Sequence, residues 1–508
     1  MYKLLLFFKQ NIKAFTFVSL LALLYGITFI FIEFYTIPFS GVKDFIEILL
    51  QWLIITISTM GLLYLLCINK YIFAVTFPLL TLTCTILAYF RFTVNISITP
   101  MLIDLAMVND CRTDMDVVSS WLIFFSLLSI LLSIILVVYR FKNIRFTKLW
   151  IHFILSFILI LITNENSLLS RPISQRLPYS IYYSMREYME DRRTISDKRL
   201  IFKGKAECNS DSLTVVFVLG ESLRSKNLHI NGYDRHTTPY LDKENNIVSY
   251  PNIYSEYGFT HTSVPYILTR ADSKHHDRAY TEKSFIDLMK QAKYHTSWLA
   301  NQESVNTFIY FMKECDTLDY VNGGKSLYMY EKWLDEDMMK SYTRELNRNE
   351  NRKFILLHTI GSHWFYNSHF PVSFTKYKPI VTSKVISSNS YNQMRNSYDN
   401  TILYSDYFWH QLIMKLKNRN AILIYLSDHS ECMGEDGMFT HGADHPALHY
   451  PACFVWYSDK FSKLYPSKVK ALKNNRMKHY NSAFLFNSVL DAADIKTDYI
   501  DTRLDIFK

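Results

Sequence analysis

The chain changes its hydrophobic rhythm once, near residue 213. Before that point, five long apolar runs occupy roughly residues 14–34, 45–68, 71–90, 120–139 and 148–163. An α-helix needs about 20 apolar residues to cross the hydrocarbon core of a bilayer. Each run therefore predicts a spanning helix, the last being short enough to need polar ends or local thinning of the bilayer. The first is too long, and too close to further spans, for a cleaved signal peptide. After residue 213 the apolar runs shorten to "LTVVFVLG", "KFILLHT", "AILIYLS" and "ACFVWYS". Segments of helical period lie between them, such as "SFIDLMKQAKY" and "SYDNTILYSDYFWHQLIMKLKN". Continuous apolar strands alternating with helices predict an α/β domain with a mostly parallel central sheet covered on both faces. The expected organisation is a five-helix transmembrane domain over 1–163, a linker over 164–210 and a soluble α/β domain over 211–508. Within the linker, "SIYYSMREYMEDRR" carries an apolar and aromatic face at helical spacing, as either an interfacial helix on the membrane or an ordinary surface helix would.

Charge orients the helices. Lys3, Lys9 and Lys13 precede the first run, Lys70 separates the second and third, and Arg140, Lys142, Arg145 and Lys148 fill the fourth connection. Cationic loops stay in the cytoplasm. The loop 91–119, with Asp104, Asp110, Asp114 and Asp116, then faces the other side, and five spans export everything after residue 163. The net charge of +9 over 508 residues fits a surface that meets anionic lipid, although the cytoplasmic loops hold part of it. No nucleic-acid partner is expected. Cys67 and Cys84 sit in apolar runs and Cys111 in the 91–119 loop, while Cys208, Cys315, Cys432 and Cys453 have no CxxC spacing, so one or two disulfides are open but unassignable.

In sheets of this kind, ligands bind at the carboxyl ends of the strands. There "TVVFVLG" ends in Glu221, "KFILLHT" runs into Gly361, Ser362 and His363, and "AILIYLS" ends in Asp428 and His429, with His441 a short loop away. A single polar strand end reads as a turn. Three together read as a metal site, because buried charges are costly unless a cation or partner compensates them. Carboxylate and imidazole donors without thiolate suit zinc first and manganese second. Thr260, Thr262 and Ser263 in "YGFTHTSVP" are candidate nucleophiles, Thr260 falling where a helix N-terminus would favour an anion; the same "THTS" also suits a plain helix cap.

The ordered set "VFVLGES", "NGYDRHTTPYL", "GFTHTSVP", "LHTIGSH", "YDNTILYSD" and "SDHSECMGEDGMFTHG", following five apolar runs, resembles the phosphoethanolamine transferases of Gram-negative inner membranes, members of the alkaline phosphatase and sulfatase superfamily. The resemblance covers nearly the whole chain. It implies a sulfatase-like catalytic domain in the periplasm, and by position it makes Thr260 the nucleophile. Glu221, Asp428 and His429 become ligands, with Thr260, of a tight zinc site. His363 and His441 fall to a second metal or to the phosphoryl group, and Asn301 lies near a substrate contact. The implied activity moves phosphoethanolamine from phosphatidylethanolamine to lipid A or the lipopolysaccharide core through a phosphorylated threonine. Acceptor phosphates would gain a cationic amine and bind polymyxin-like cationic peptides less well.

The lipid A branch of that family often flanks its nucleophile with a disulfide; the matching positions here are Glu256 and Tyr266, which leaves a core-sugar acceptor open. The Cys-x-Pro-x-Arg motif that sulfatases oxidise to formylglycine does not occur, so sulfate-ester hydrolysis is not expected. The competing readings are a phosphoglycerol transferase or phosphatase of the same superfamily, and a non-catalytic membrane protein stabilised by its metal.

Overall fold

A computed structural model describes residues 2–35, 37–94, 97–99, 103, 120–164, 172–194, 199–302, 309–322, 325, 331–441 and 444–508. Asp104, Asp110, Cys111, Asp114 and Asp116 lie outside the described residues. The chain forms two compact units, one built on residues 1–192 and the other on residues 193–322 with 331–508.

In the first unit, four helices among the described residues are long and apolar enough to cross a membrane: Lys9–Glu33, Val42–Ile68, Lys70–Thr93 and Ser120–Asn143. The fifth apolar run forms a shorter helix of 16 residues, Leu149–Asn164. Leu21, Leu63, Phe73 and Phe77 pack inside this unit, whereas Trp121, Leu127 and Leu131 stand exposed. An apolar exterior on long helices suits a lipid environment rather than water. Arg140, expected as a loop cation, is buried and donates to the carbonyl oxygens of Cys67 and Ile144 at 2.8 and 2.7 Å. It thus satisfies a carbonyl that the end of helix Val42–Ile68 leaves without an intrahelical partner. The linker sequence forms helix Tyr179–Thr194, with Tyr182 and Met189 exposed and Tyr179 anchored to Ser58 at 2.6 Å.

The second unit is organised by a seven-stranded sheet. Its strands, numbered along the chain, are β1 (Leu213–Gly220), β2 (Ile247–Ser249), β3 (His295–Ala300), β4 (Thr317–Tyr320), β5 (Arg352–His358), β6 (Ala421–Ser427) and β7 (Cys453–Tyr457). The spatial order is β2-β7-β6-β1-β5-β3-β4. Pairings between β6, β1, β5, β3 and β4 are parallel, and β7 runs antiparallel to both β6 and β2. The sheet is therefore mixed at one edge, where the chain returns from β6 through residues 428–452, which form short strands and 3-10 turns rather than a crossover α-helix among the described residues. Every residue of β1 is buried, as a central strand covered on both faces requires.

Register places the site. Gly220 pairs with Ser427, and Leu219 pairs with His358, which in turn pairs with Ala300. The next residue on each strand, Glu221, Asp428, Thr359 and Asn301, thus leaves the sheet at nearly the same level. A long helix, Tyr391–Leu416, packs beside β6 and begins with a capping box formed by Ser390 and Gln393, each satisfying a backbone N–H at the helix start.

Candidate metal centre

Glu221, Asp428 and His429 are buried and converge at the carboxyl ends of β1 and β6, with one ligand atom of each within 4.8 Å of the others. His429 Nε2 lies 3.5 Å from Glu221 Oε1 and 3.4 Å from Asp428 Oδ2. Thr260 Oγ1 completes the group, donating to Glu221 Oε2 at 3.2 Å and standing 3.2 Å from His429 Nε2. Ligands about 2.1 Å from a tetrahedral zinc are about 3.4 Å from one another. The separations of 3.2–3.5 Å recorded among these donors lie near that edge length.

Their surroundings point the same way. Asp428 Oδ2 is buried with no hydrogen-bond partner, although Oδ1 accepts from the backbone N–H groups of Ser222 and His429 at 3.1 and 2.7 Å. A buried carboxylate oxygen left unbonded is costly, and a cation removes that cost. Burial and the neighbouring Asp428 charge push the Glu221 carboxyl well above its usual range, the response of two acids sharing an uncompensated site. His429 Nδ1 donates to the Ser430 carbonyl at 2.7 Å, which sets the tautomer and turns the Nε2 lone pair toward the cluster. The residues present fit a zinc ion.

Thr260 reaches this point as the first residue of a nine-residue helix, Thr260–Leu268. The N–H groups of Thr262 and Ser263 donate to Phe259 O at 3.2 and 2.9 Å, and the helix start at Thr260 is a favourable place for a phosphoryl anion. Thr262 and Ser263, the other candidate nucleophiles, are tied down instead. Thr262 donates to Phe259 O at 3.0 Å, and Ser263, buried, donates to Asp428 O.

His363 and His441 stand beside the cluster. The His441 ring lies 4.6 Å from that of His429 and 5.6 Å from that of His363, centroid to centroid. His363 Nδ1 is engaged by the Trp364 carbonyl and His441 Nδ1 by Glu431 Oε1 at 3.2 Å. Burial, and then the neighbouring His441, hold the His363 imidazole well below its usual range. Asn301 is not brought to the cluster. Fully buried, it donates to Asp335 Oδ1 at 2.9 Å and Leu334 O at 3.2 Å and accepts from Trp333 Nε1 at 3.0 Å, so its amide is consumed inside the fold. Arg235, in "NGYDRHTTPYL", is paired with Asp399 at 2.8 Å.

Several supporting residues escaped sequence reasoning. Gln302 Nε2 donates to Glu221 Oε2 at 3.0 Å, and the Ser222 hydroxyl donates to Glu221 Oε1 at 2.6 Å. Asp335 accepts the N–H groups of Ile360 and Gly361 at 2.9 and 3.1 Å; burial pushes its carboxyl up to about 6 against these bonds. It holds Gly361, at φ +53, where a Cβ would lie 2.8 Å from Glu221 O. Glu431, buried and engaging His441 Nδ1, lies two residues beyond His429 in the sequence. The signal available for Gln302 was its position immediately after Asn301 at the end of β3.

The chain is similar to several known proteins. The Sulfatase family model matches residues 214–495. The phosphoethanolamine transferase EptA of Escherichia coli K12 is 28% identical over 310 residues, 58% of this chain and 55% of that protein. The matched stretch thus spans about half the length of that curated relative. The C-terminal periplasmic domain of EptC from Escherichia coli, solved in complex with Zn, is 25% identical with a TM-score of 0.55, covering 61% of this chain and 89% of that one. The integral membrane lipooligosaccharide phosphoethanolamine transferase A of Neisseria meningitidis shares the fold over 97% of this chain and 98% of its own, with a TM-score of 0.56 at 20% identity.

Proposed function

We propose, from the premise that this chain belongs to the sulfatase family, that it is a zinc-dependent phosphoethanolamine transferase of the Gram-negative inner membrane with its catalytic unit in the periplasm. The donor is phosphatidylethanolamine and the acceptor is lipid A or the lipopolysaccharide core. The single observation that carries the reading is Thr260 Oγ1 donating to Glu221 Oε2 while standing 3.2 Å from His429 Nε2. A threonine hydroxyl at a helix N-terminus, inside a carboxylate and imidazole cage, is an activated nucleophile rather than a cap.

Glu221, Thr260, Asp428 and His429 hold the zinc, which when bound supplies Lewis-acid charge to the threonine oxygen and the phosphoryl oxygens. In the first half-reaction the Thr260 oxygen attacks phosphorus, its P–O bond forms, and the bond to the diacylglycerol oxygen breaks. The threonine proton leaves to the site and a proton returns to the departing alcohol. In the second half-reaction an acceptor oxygen attacks the same phosphorus and Thr260 is released with its proton restored. His363 and His441 present Nε2 atoms beside the cluster, where they hydrogen-bond phosphoryl oxygens. Spanning helices suit this chemistry, because donor and acceptor are both lipids anchored in a membrane leaflet. The exposed Tyr182, Met185 and Met189 of helix Tyr179–Thr194 support seating at that surface.

The test is intact-mass spectrometry of the purified full-length protein after incubation with zinc and phosphatidylethanolamine. A phosphoethanolamine-sized adduct is expected on wild type and absent from Thr260→Ala. Wild type that gains no adduct and releases no diacylglycerol sinks the proposal.

A further inference from the structure

The segment "HINGYDRHTTPYLD", residues 229–242, brings together a second group of metal-type donors that the reaction above does not use. His229, His236 and Asp242 each offer a ligand atom within 4.8 Å of the other two. His229 Nδ1 lies 2.6 Å from Asp242 Oδ2, and the two imidazole rings are 4.1 Å apart at their centroids.

The backbone presents these donors in a set geometry. Residues 229–231 form one 3-10 turn, and Gly232, at φ +96, reverses the chain. The returning limb is laced to the first: the hydroxyls of Thr237 and Thr238 accept from the N–H groups of His229 and Ile230 at 3.1 and 3.0 Å. Thr238 also donates to Asp242 Oδ1 at 3.0 Å, orienting the carboxylate that faces His229. Hydrogen bonds of this kind behind a ligand raise metal affinity by fixing its direction. Tyr233 and Arg235 bolt the segment to Asp399 of helix Tyr391–Leu416 at 3.0 and 2.8 Å.

We propose that His229, His236 and Asp242 form a second transition-metal site, of the zinc class, that clamps this segment shut. Two imidazoles and one carboxylate are the donor set of open tetrahedral zinc sites, with water as the fourth ligand. A tetrahedral ion needs ligand atoms about 3.4 Å apart, so on binding the 2.6 Å contact between His229 Nδ1 and Asp242 Oδ2 opens to admit it. Solvent reaches the group, since the His229 and Asp242 side chains are 30% and 23% exposed. An ion pair accounts for His229 with Asp242 but not for the approach of the solvent-facing His236 ring to 4.1 Å of the His229 ring.

The experiment counts zinc per chain by elemental mass spectrometry on the full-length protein in detergent, loaded with zinc(II) and dialysed against metal-free buffer. His236→Ala and Asp242→Asn should each hold one equivalent fewer than wild type. The same one-equivalent loss should appear when His236→Ala is added to Asp428→Asn, a background already depleted at the first site. Cobalt(II) substitution supplies a second readout: the visible absorption of tetrahedral cobalt should fall by the share of one site in His236→Ala. Variants that keep the wild-type zinc count overturn the proposal. A loss in Asp242→Asn alone overturns it too, because His236 is then no ligand.

Discussion

Replacing Gly361 by alanine tests how the site is held. Gly361 has φ +53, and a Cβ there would lie 2.8 Å from Glu221 O, 3.0 Å from Glu221 N and 3.2 Å from Glu221 Cβ. A side chain in the left-handed region costs about 1–2 kcal/mol by itself. The contact is with backbone, so no rotamer relieves it; the 2.8 Å approach must open by roughly 0.6 Å to reach ordinary van der Waals distance. The strand end that must give way carries Glu221, whose carboxylate accepts from Thr260. A displacement of about 1 Å at a reacting centre costs on the order of 100-fold in rate, so about tenfold to 100-fold is expected here. The assay is single-turnover diacylglycerol release from phosphatidylethanolamine at saturating zinc, read beside thermal unfolding of the full chain. Gly232→Ala is the control, since Gly232 has φ +96 but nothing within 4 Å of an added Cβ. It should destabilise by about 1 kcal/mol and leave the rate near wild type. If Gly361→Ala turns over as fast as Gly232→Ala at equal zinc content, the claim that Gly361 sets the Glu221 position is refuted.

Gln302→Leu removes the N–H donated to Glu221 Oε2 at 3.0 Å; zinc affinity should fall by about tenfold to 100-fold, as for other residues behind a ligand, measured by chelator competition. Stripping zinc with a chelator should lower the unfolding temperature, because Glu221 and Asp428 are then buried together without a cation; zinc at 100 times its dissociation constant restores about 2.7 kcal/mol, and an unfolding temperature indifferent to zinc would contradict this. Asp406 is buried, and desolvation pushes its carboxyl up to about 7 despite the backbone N–H groups of Tyr240 and Leu241 that it accepts. Its folded value lies above the unfolded one, so the stability it contributes is complete below about pH 4 and lost as pH rises through 7; Asp406→Asn should flatten the stability-versus-pH curve over that window, and an unchanged slope counts against it.

The sequence alone determined the elements and the chemistry at their ends. Period and run length marked the helices of the first unit and β1, β5, β6 and β7 of the second, because burial on both faces demands continuous apolar strands. Residue type marked Glu221, His363, Asp428, His429 and His441, since carboxylates and imidazoles rarely end apolar strands without a reason. Only the tertiary structure decided the rest. The reversed direction of β7 depends on which neighbour it pairs with, which no local pattern encodes. The separation of Thr260 from Thr262 and Ser263 depends on which hydroxyl the helix start aims at Glu221. Asn301, adjacent in sequence to Gln302, turns into the interior while Gln302 reaches the cluster, because successive residues at a strand end point to opposite sides. Asp335 and Glu431 act from loops whose route across the sheet edge is a property of packing. Local sequence specifies what a residue can do, and strand register and burial specify which residues meet.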